Sequence, residues 1–171
     1  MAFDLLTSDF NFVTVMDVEV YEGANADTST DSPIATLDSL NISNISIEGP
    51  EKEARGGQEA KPLIRYRKTG TLEMEDVIMK ADVLEAFMDV DTSNGITITD
   101  TFATSLTLVG TTYVIDRETG EKQDVKITFY DFLPNSVFDL TMEAEGDIGM
   151  INISGELFPN ADGEFYTIEE A

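Results

Sequence analysis

Apolar residues recur at every second position along most of this chain, in short runs separated by glycine, proline and small polar residues. Side chains alternate between the two faces of a pleated strand, so such runs predict half-buried β-strands. Over residues 11–21, Phe12, Thr14, Met16, Val18 and Val20 share one face, and Asn11, Asp17 and Glu19 share the other. Val13, Val15 and Tyr21 make that second face mixed. Residues 23–33, GANADTSTDSP, are small, polar and rich in breakers, and predict a loop. Within 34–48, Leu40 and Ile42 have one parity and Ile45 and Ile47 the other, so a bulge or bend is expected at Ser43-Asn44. Strands are also expected over 63–75, within 96–115, and over 122–133, 138–143 and 148–158. Turns are expected at Arg117–Gly120 and Glu145–Asp147.

One stretch departs from this period. Val77, Ala81, Leu84 and Met88 recur at helical spacing, widened by Ile78 and Phe87, which predicts one helix at about 76–89. Glu75 and Asp76 then place negative charge at its start, where the helix macrodipole favours it. Several strands, one helix and several more strands predict a mainly β chain. The expected fold is an antiparallel β-sandwich or partial barrel flanked by that helix.

With 171 residues the chain suits one domain, 1–171. Residues 1–10 carry Phe3, Leu5, Leu6 and Phe10 and read as an N-terminal arm; 159–171 read as a C-terminal arm. Between them, residues 48–62 are charged, flanked by Pro50 and Pro62 and centred on Gly56-Gly57. So long a loop between early strands is uncommon in a compact domain and usually serves a function.

Charge narrows what such a chain can do. Ten basic residues stand against 34 acidic ones, a net charge of -24. Tight binding of nucleic acid is disfavoured by that charge, and so is contact with anionic membranes. No apolar run approaches the ~20 residues of a membrane span. Met1-Ala2-Phe3-Asp4 begins neither a basic nor an apolar segment, so no secretory signal is expected and assembly in the cytoplasm is. Histidine, cysteine and tryptophan are all absent. Ser–His and Cys–His nucleophiles and zinc sites therefore cannot be built, and no enzyme and no cofactor are expected. The charge is also uneven. Residues 1–50 hold nine acids and 131–171 hold ten, with no base in either. Six of the ten bases, Lys52, Arg55, Lys61, Arg65, Arg67 and Lys68, fall in one stretch. Opposite signs on separate segments suit contact between copies, because complementary charge fixes register and partner choice.

Three patterns invite chemistry. Asp89-Val90-Asp91-Thr92-Ser93-Asn94-Gly95, ending at Asp100, spaces Asp89, Asp91 and Ser93 as calcium ligands are spaced. Its glycine falls one place late, its last ligand is Asp rather than Glu, and Ile96-Thr97-Ile98 continues as a strand. A helix end followed by a polar turn fits better, and a calcium-binding surface or extracellular β-protein is the alternative this pattern supports. Glu73/Glu75 and Glu143/Glu145 are carboxylate pairs on strand faces, the feature behind a second alternative, a glycan hydrolase. Such pairs arise by chance among 34 acids, and no Trp is present to stack a sugar. Gly56-Gly57 lacks the Gly-Lys-Ser/Thr ending of a phosphate loop.

Several segments carry a family resemblance. They are Ala35–Ile45, the loop Gly49–Gly57, Pro62–Asp76, Asp82–Phe87 and Ile153-Ser154-Gly155-Glu156-Leu157-Phe158-Pro159. Together they resemble the major tail (tail tube) proteins of long-tailed bacteriophages. The resemblance implies a β-sandwich with one helix, hexameric rings and stacking of the rings into a hollow tube in the virion. The long loop of the family usually bridges rings, often helped by terminal arms. By position it assigns Lys52, Arg55, Gly56, Gly57 and Lys61 to inter-ring contact. The implied partners are tape-measure, tail-terminator and baseplate or tip proteins, with double-stranded DNA passing through without tight binding. The same fold builds the tubes of contractile injection systems. An acidic wall would repel phosphates and let DNA slide, and Glu143 and Glu145 are lumen candidates.

Overall fold

The computed structural model describes residues 10–13, 15–49, 51–53, 63–65, 68–88, 90–91, 97–98, 104–135 and 149–171. Its elements are β1 (Phe10–Phe12), β2 (Val15–Glu22), β3 (Ala35–Glu48), β4 (Glu51–Glu53), β5 (Leu63–Arg65), β6 (Thr69–Ile78) and α1 (Ala81–Met88). They continue with β7 (Val90–Asp91), β8 (Thr97–Ile98), β9 (Leu106–Asp116), β10 (Lys122–Pro134), β11 (Met150–Leu157) and β12 (Tyr166–Glu170). Every pairing among the described residues is antiparallel. Of the described strands eight share one sheet, while β4–β5 and β7–β8 form small separate ribbons. The mainly β architecture with one helix is as the alternation predicts.

Long bent strands take part in more than one ladder and make the fold a partial barrel. β9 pairs β2 and β1 on one side and β10 on the other; β2 pairs β3, β3 pairs β6, and β6 pairs β11. β10 gives residues 125–129 to β12 and only 132–134 to β11. With β3, β6 and β11 as one layer and β2, β9, β10 and β12 as the other, the β2–β3 ladder joins the layers on one side and this three-residue corner joins them on the other. Gly155 makes the corner possible: a Cβ there would lie 2.4 Å from the Leu133 carbonyl oxygen and 2.5 Å from the Phe132 ring.

The parity change in β3 is a bulge. Ile42 lies opposite Met74 and Ile45 opposite Leu72, three steps on β3 against two on β6. The extra residue keeps Ile42 and Ile45 on the side of Leu72 and Met74. The core behind them is made of Met16, Val18, Val20, Leu37, Leu72, Val77, Leu108, Ile127, Phe129 and Phe132 with the helix residues Val83, Leu84 and Phe87. Phe87 meets Phe132 edge to face, with centroids 6.2 Å apart.

The helix is shorter than its expected 76–89. Residues 76–78 belong to β6, with Val77 opposite Ile151 and Ile78 opposite Met150. Val77 is wholly buried as a strand residue, whereas Ala81 is exposed. The core-facing stripe of α1 is Val83, Leu84, Ala86 and Phe87, and Asp82 is the acid in its first turn. The Val77–Met88 spacing thus joined a strand end to a helix. Lys80, at the junction, forms an ion pair with Asp38 of β3. The carboxylate of Asp38 raises the Lys80 pKa above its ordinary value.

Residues 159–171, expected as an arm, hold β12, which pairs with residues 125–129 of β10 and packs Tyr166 on Phe129. Residues 23–33 form the expected loop, clasped onto the sheet. Asn25 N–H donates to the Tyr130 carbonyl (2.7 Å) and Ala26 N–H to the Thr107 hydroxyl oxygen (2.9 Å). Arg117–Gly120 is a turn as expected, organised by Asp116. Its carboxylate accepts from the N–H groups of Glu118 (2.8 Å) and Thr119 (2.7 Å). Those donors, that of Thr119 foremost, hold the Asp116 pKa below the usual carboxylate range.

Candidate assembly surfaces

The outer face of β3, β6 and β11 carries one sign of charge. Glu48, Glu73, Glu75 and Glu156 are exposed there, among Asn44, Ser46, Thr71, Asn152 and Ser154. The alternation causes this directly, since Leu72 and Met74 point inward and leave Thr71, Glu73 and Glu75 outside. Register brings them together: Glu73 lies opposite Asn44 on one side and Ser154 on the other. A shallow groove between β6 and β11 is lined by Glu73, Glu75, Asn152 and Ser154. Among the described residues these strands place no base on this face, and the one that reaches its edge, Lys80, is paired with Asp38.

The outer face of β2, β9, β10 and β12 is mixed instead. Asp17, Glu19, Asp124 and Glu169 share it with Lys122 and Lys126, and Lys126 lies opposite Glu169. Lys122 Nζ stands 4.5 Å above the centre of the Tyr113 ring. Tyr21 donates to Glu19 at 2.8 Å, and burial, then that neighbour, pushes its pKa up to about 12. The two layers therefore present different electrostatic surfaces to whatever lies outside them.

Within the expected loop 48–62, β3 runs to Glu48 and β4 pairs with β5, so this part of the chain includes a short hairpin. Lys52 lies in β4, opposite Ile64. Arg55, Gly56, Gly57 and Lys61 lie outside the described residues, as do the lumen candidates Glu143 and Glu145. Of the calcium pattern, Asp91 lies in β7 opposite Thr97, while Asp89, Ser93 and Asp100 fall outside the described residues. Among the described residues no group of three or more carboxylates is placed to hold a metal. No described helix is long and apolar enough to cross a membrane.

Two features escaped the sequence reading. Glu73 and Glu75 read as a chance pair, although their shared parity opposite Leu72 and Met74 already marked a polar strand face. Apolar residues are also left exposed: Met150 (59%), Ile45 (37%) and Ile47 (36%).

Known proteins resemble this arrangement in part. No curated protein matches the chain. Three solved structures align over nearly all of it at low identity. The anti-feeding prophage (AFP) baseplate, 6-fold symmetrised, is 14% identical, with 99% of this chain and 98% of that one covered, at a TM-score of 0.49. The AFP tube terminating cap is 13% identical, with 98% and 97% covered, at 0.46. The extended PVC sheath–tube complex of an extracellular contractile injection system is 13% identical, with 93% and 90% covered, at 0.42. The model of the YomU/Tube protein family matches residues 88–168, from the end of α1 through most of β12. Over that span the chain is similar to the YomU/Tube protein family.

Proposed function

We propose that this chain is a structural subunit of a tail tube, in a phage or phage-like particle, and acts by assembling with copies of itself rather than by catalysis. The match of residues 88–168 to a tube family carries the reading. The acid-only face of β3, β6 and β11 supports it physically. A conduit for DNA has to avoid binding DNA, and a wall of negative potential repels phosphates while the duplex slides. In this reading six copies form a ring, rings stack into a hollow tube, and a tape-measure protein and later double-stranded DNA occupy the lumen. Tail-terminator and baseplate proteins cap the two ends. Glu143 and Glu145 remain lumen candidates.

Copies carrying -24 each repel one another, so assembly needs apolar contact, basic bridges and salt screening. Lys52, Arg55 and Lys61, with Gly56 and Gly57 between them, form the proposed bridge to acids of the next ring. Electron microscopy of the purified protein at high concentration tests the class: tubes or stacked rings are expected, and a permanent monomer would refute it. Reversing the three charges together should abolish stacking at physiological salt. Tubes that form unchanged would remove the bridge.

A further inference from the structure

β6 separates two apolar patches. At its start Gly70 lies opposite Ile47, and Ile45 lies opposite Leu72. Ile45 and Ile47 share the core side of β3 yet are left 37% and 36% exposed. The side chain of the exposed Lys68 lies beside Gly49, two residues beyond Ile47: a Cβ on Gly49 would lie 3.2 Å from Lys68 Cγ. At the far end of β6, Ile78 pairs with Met150, which is 59% exposed. Met79 stands beside them, its N–H donating to the Gly149 carbonyl at 2.9 Å. The border here is acidic on balance: Glu75 is exposed three residues before Ile78, and Lys80, two residues after it, is already paired with Asp38. Eight residues of strand separate Gly70 from Ile78, roughly 26 Å.

We propose that these two patches are halves of one contact between copies of this chain, Ile45 and Ile47 of one copy seating on Met150 and Ile78 of the next. The chemistry favours this occupant. One patch is branched aliphatic beside a cation. The other is a flexible thioether beside a carboxylate, and methionine adapts its shape to what it meets. Lys68 of one copy then faces Glu75 of the next, which sets the direction of the contact. Because the halves are different surfaces, the contact is heterologous: each copy keeps one half free, so it propagates into a ring or a stack. This inference rests on the self-assembling reading above, and adds to it where copies touch.

The chain has no native cysteine, so introduced ones report without background. The test uses the full chain as Ile47→Cys, Met150→Cys and the double variant, oxidised under conditions in which the unmodified protein forms tubes or rings. A disulfide needs Cα atoms within about 7 Å, so the two positions cannot bridge inside one copy. The double variant should give a ladder of covalent multimers that collapses on reduction, and each single variant dimers at most. Met150→Asp, at a largely exposed position, should keep the wild-type melting curve and lose the assembly. A double variant that yields dimers only, or assembly unaffected by Met150→Asp, would overturn the contact and leave the tube reading standing. A protein that never assembles would overturn both, and electron microscopy of the unmodified chain tells the cases apart.

Discussion

Replacing Gly155 with alanine perturbs the corner where β10 passes from β12 to β11. The added methyl carbon would lie 2.4 Å from the Leu133 carbonyl oxygen and 2.5 Å from two ring carbons of Phe132. Neither neighbour can retreat cheaply. The carbonyl is backbone within a paired strand, and the Phe132 ring is wholly buried against Phe87. Over-packing a close-fitted core costs about 1–3 kcal/mol, and a backbone obstacle puts this case near the upper end. Taking about 3 kcal/mol, and a urea slope of about 2 kcal/mol per molar, the midpoint should fall by about 1.5 M. The melting temperature should fall by roughly 6–12 °C for a chain of this size. Gly163→Ala is the control. Its φ of 86° strains any other residue, yet nothing lies within 4 Å of the new carbon. It should lose only the left-handed backbone penalty of about 1–2 kcal/mol. Equal midpoints for the two variants, or a Gly155→Ala midpoint at the wild-type value, would refute the close-approach account of the corner.

Phe129→Ala removes a wholly buried ring that also supports Tyr166, so it should cost about 3–5 kcal/mol in urea melts. Amide exchange of residues 166–170 should then speed up ahead of the rest of the sheet. Asp116→Asn probes the turn after β9. The Asp116 pKa is depressed in the fold, so its contribution is present above the unfolded carboxylate value of about 3.9 and fades as pH falls through the lower folded value. Wild type and variant should therefore differ in melting midpoint at neutral pH and converge on strong acidification; a gap independent of pH would argue against the carboxylate's role. Association should strengthen as salt rises from about 0.05 to 0.5 M, because screening weakens the repulsion of copies at -24 each. A sedimentation coefficient that falls with salt would mean that attraction between opposite charges dominates instead.

Local pattern made much of the fold legible. Met16, Val18 and Val20 are buried as their alternation predicts, and Val125, Ile127 and Phe129 likewise. The bulge in β3 was visible as a change of parity at Ser43-Asn44. What stayed hidden depends on partners distant in sequence. Val77 fits a helical stripe by spacing and a strand by its pairing with Ile151, and only the ladder with β11 decides between them. Tyr166–Glu170 is too short and acidic to declare itself a strand, and becomes one by pairing with residues 125–129. The acid-only face needed the order β3–β6–β11, because Glu48, Glu73 and Glu156 come from three separate segments. The Met150 patch was hidden for a similar reason, since nothing in the spacing of Ile78 and Met150 announces that they are neighbours.

The bulge of β3 has a consequence for how this chain can vary. Its one additional residue bends the strand without setting the frame of the second half. A point replacement there leaves the bulge intact. Deleting Ser43 would remove the bulge and its bend yet leave Ile45 and Ile47 opposite Leu72 and Gly70 in regular alternation. Related sequences should therefore carry either two residues between Ile42 and Ile45 with the bulge or one residue without it, and loops such as 23–33 should absorb the larger changes in length.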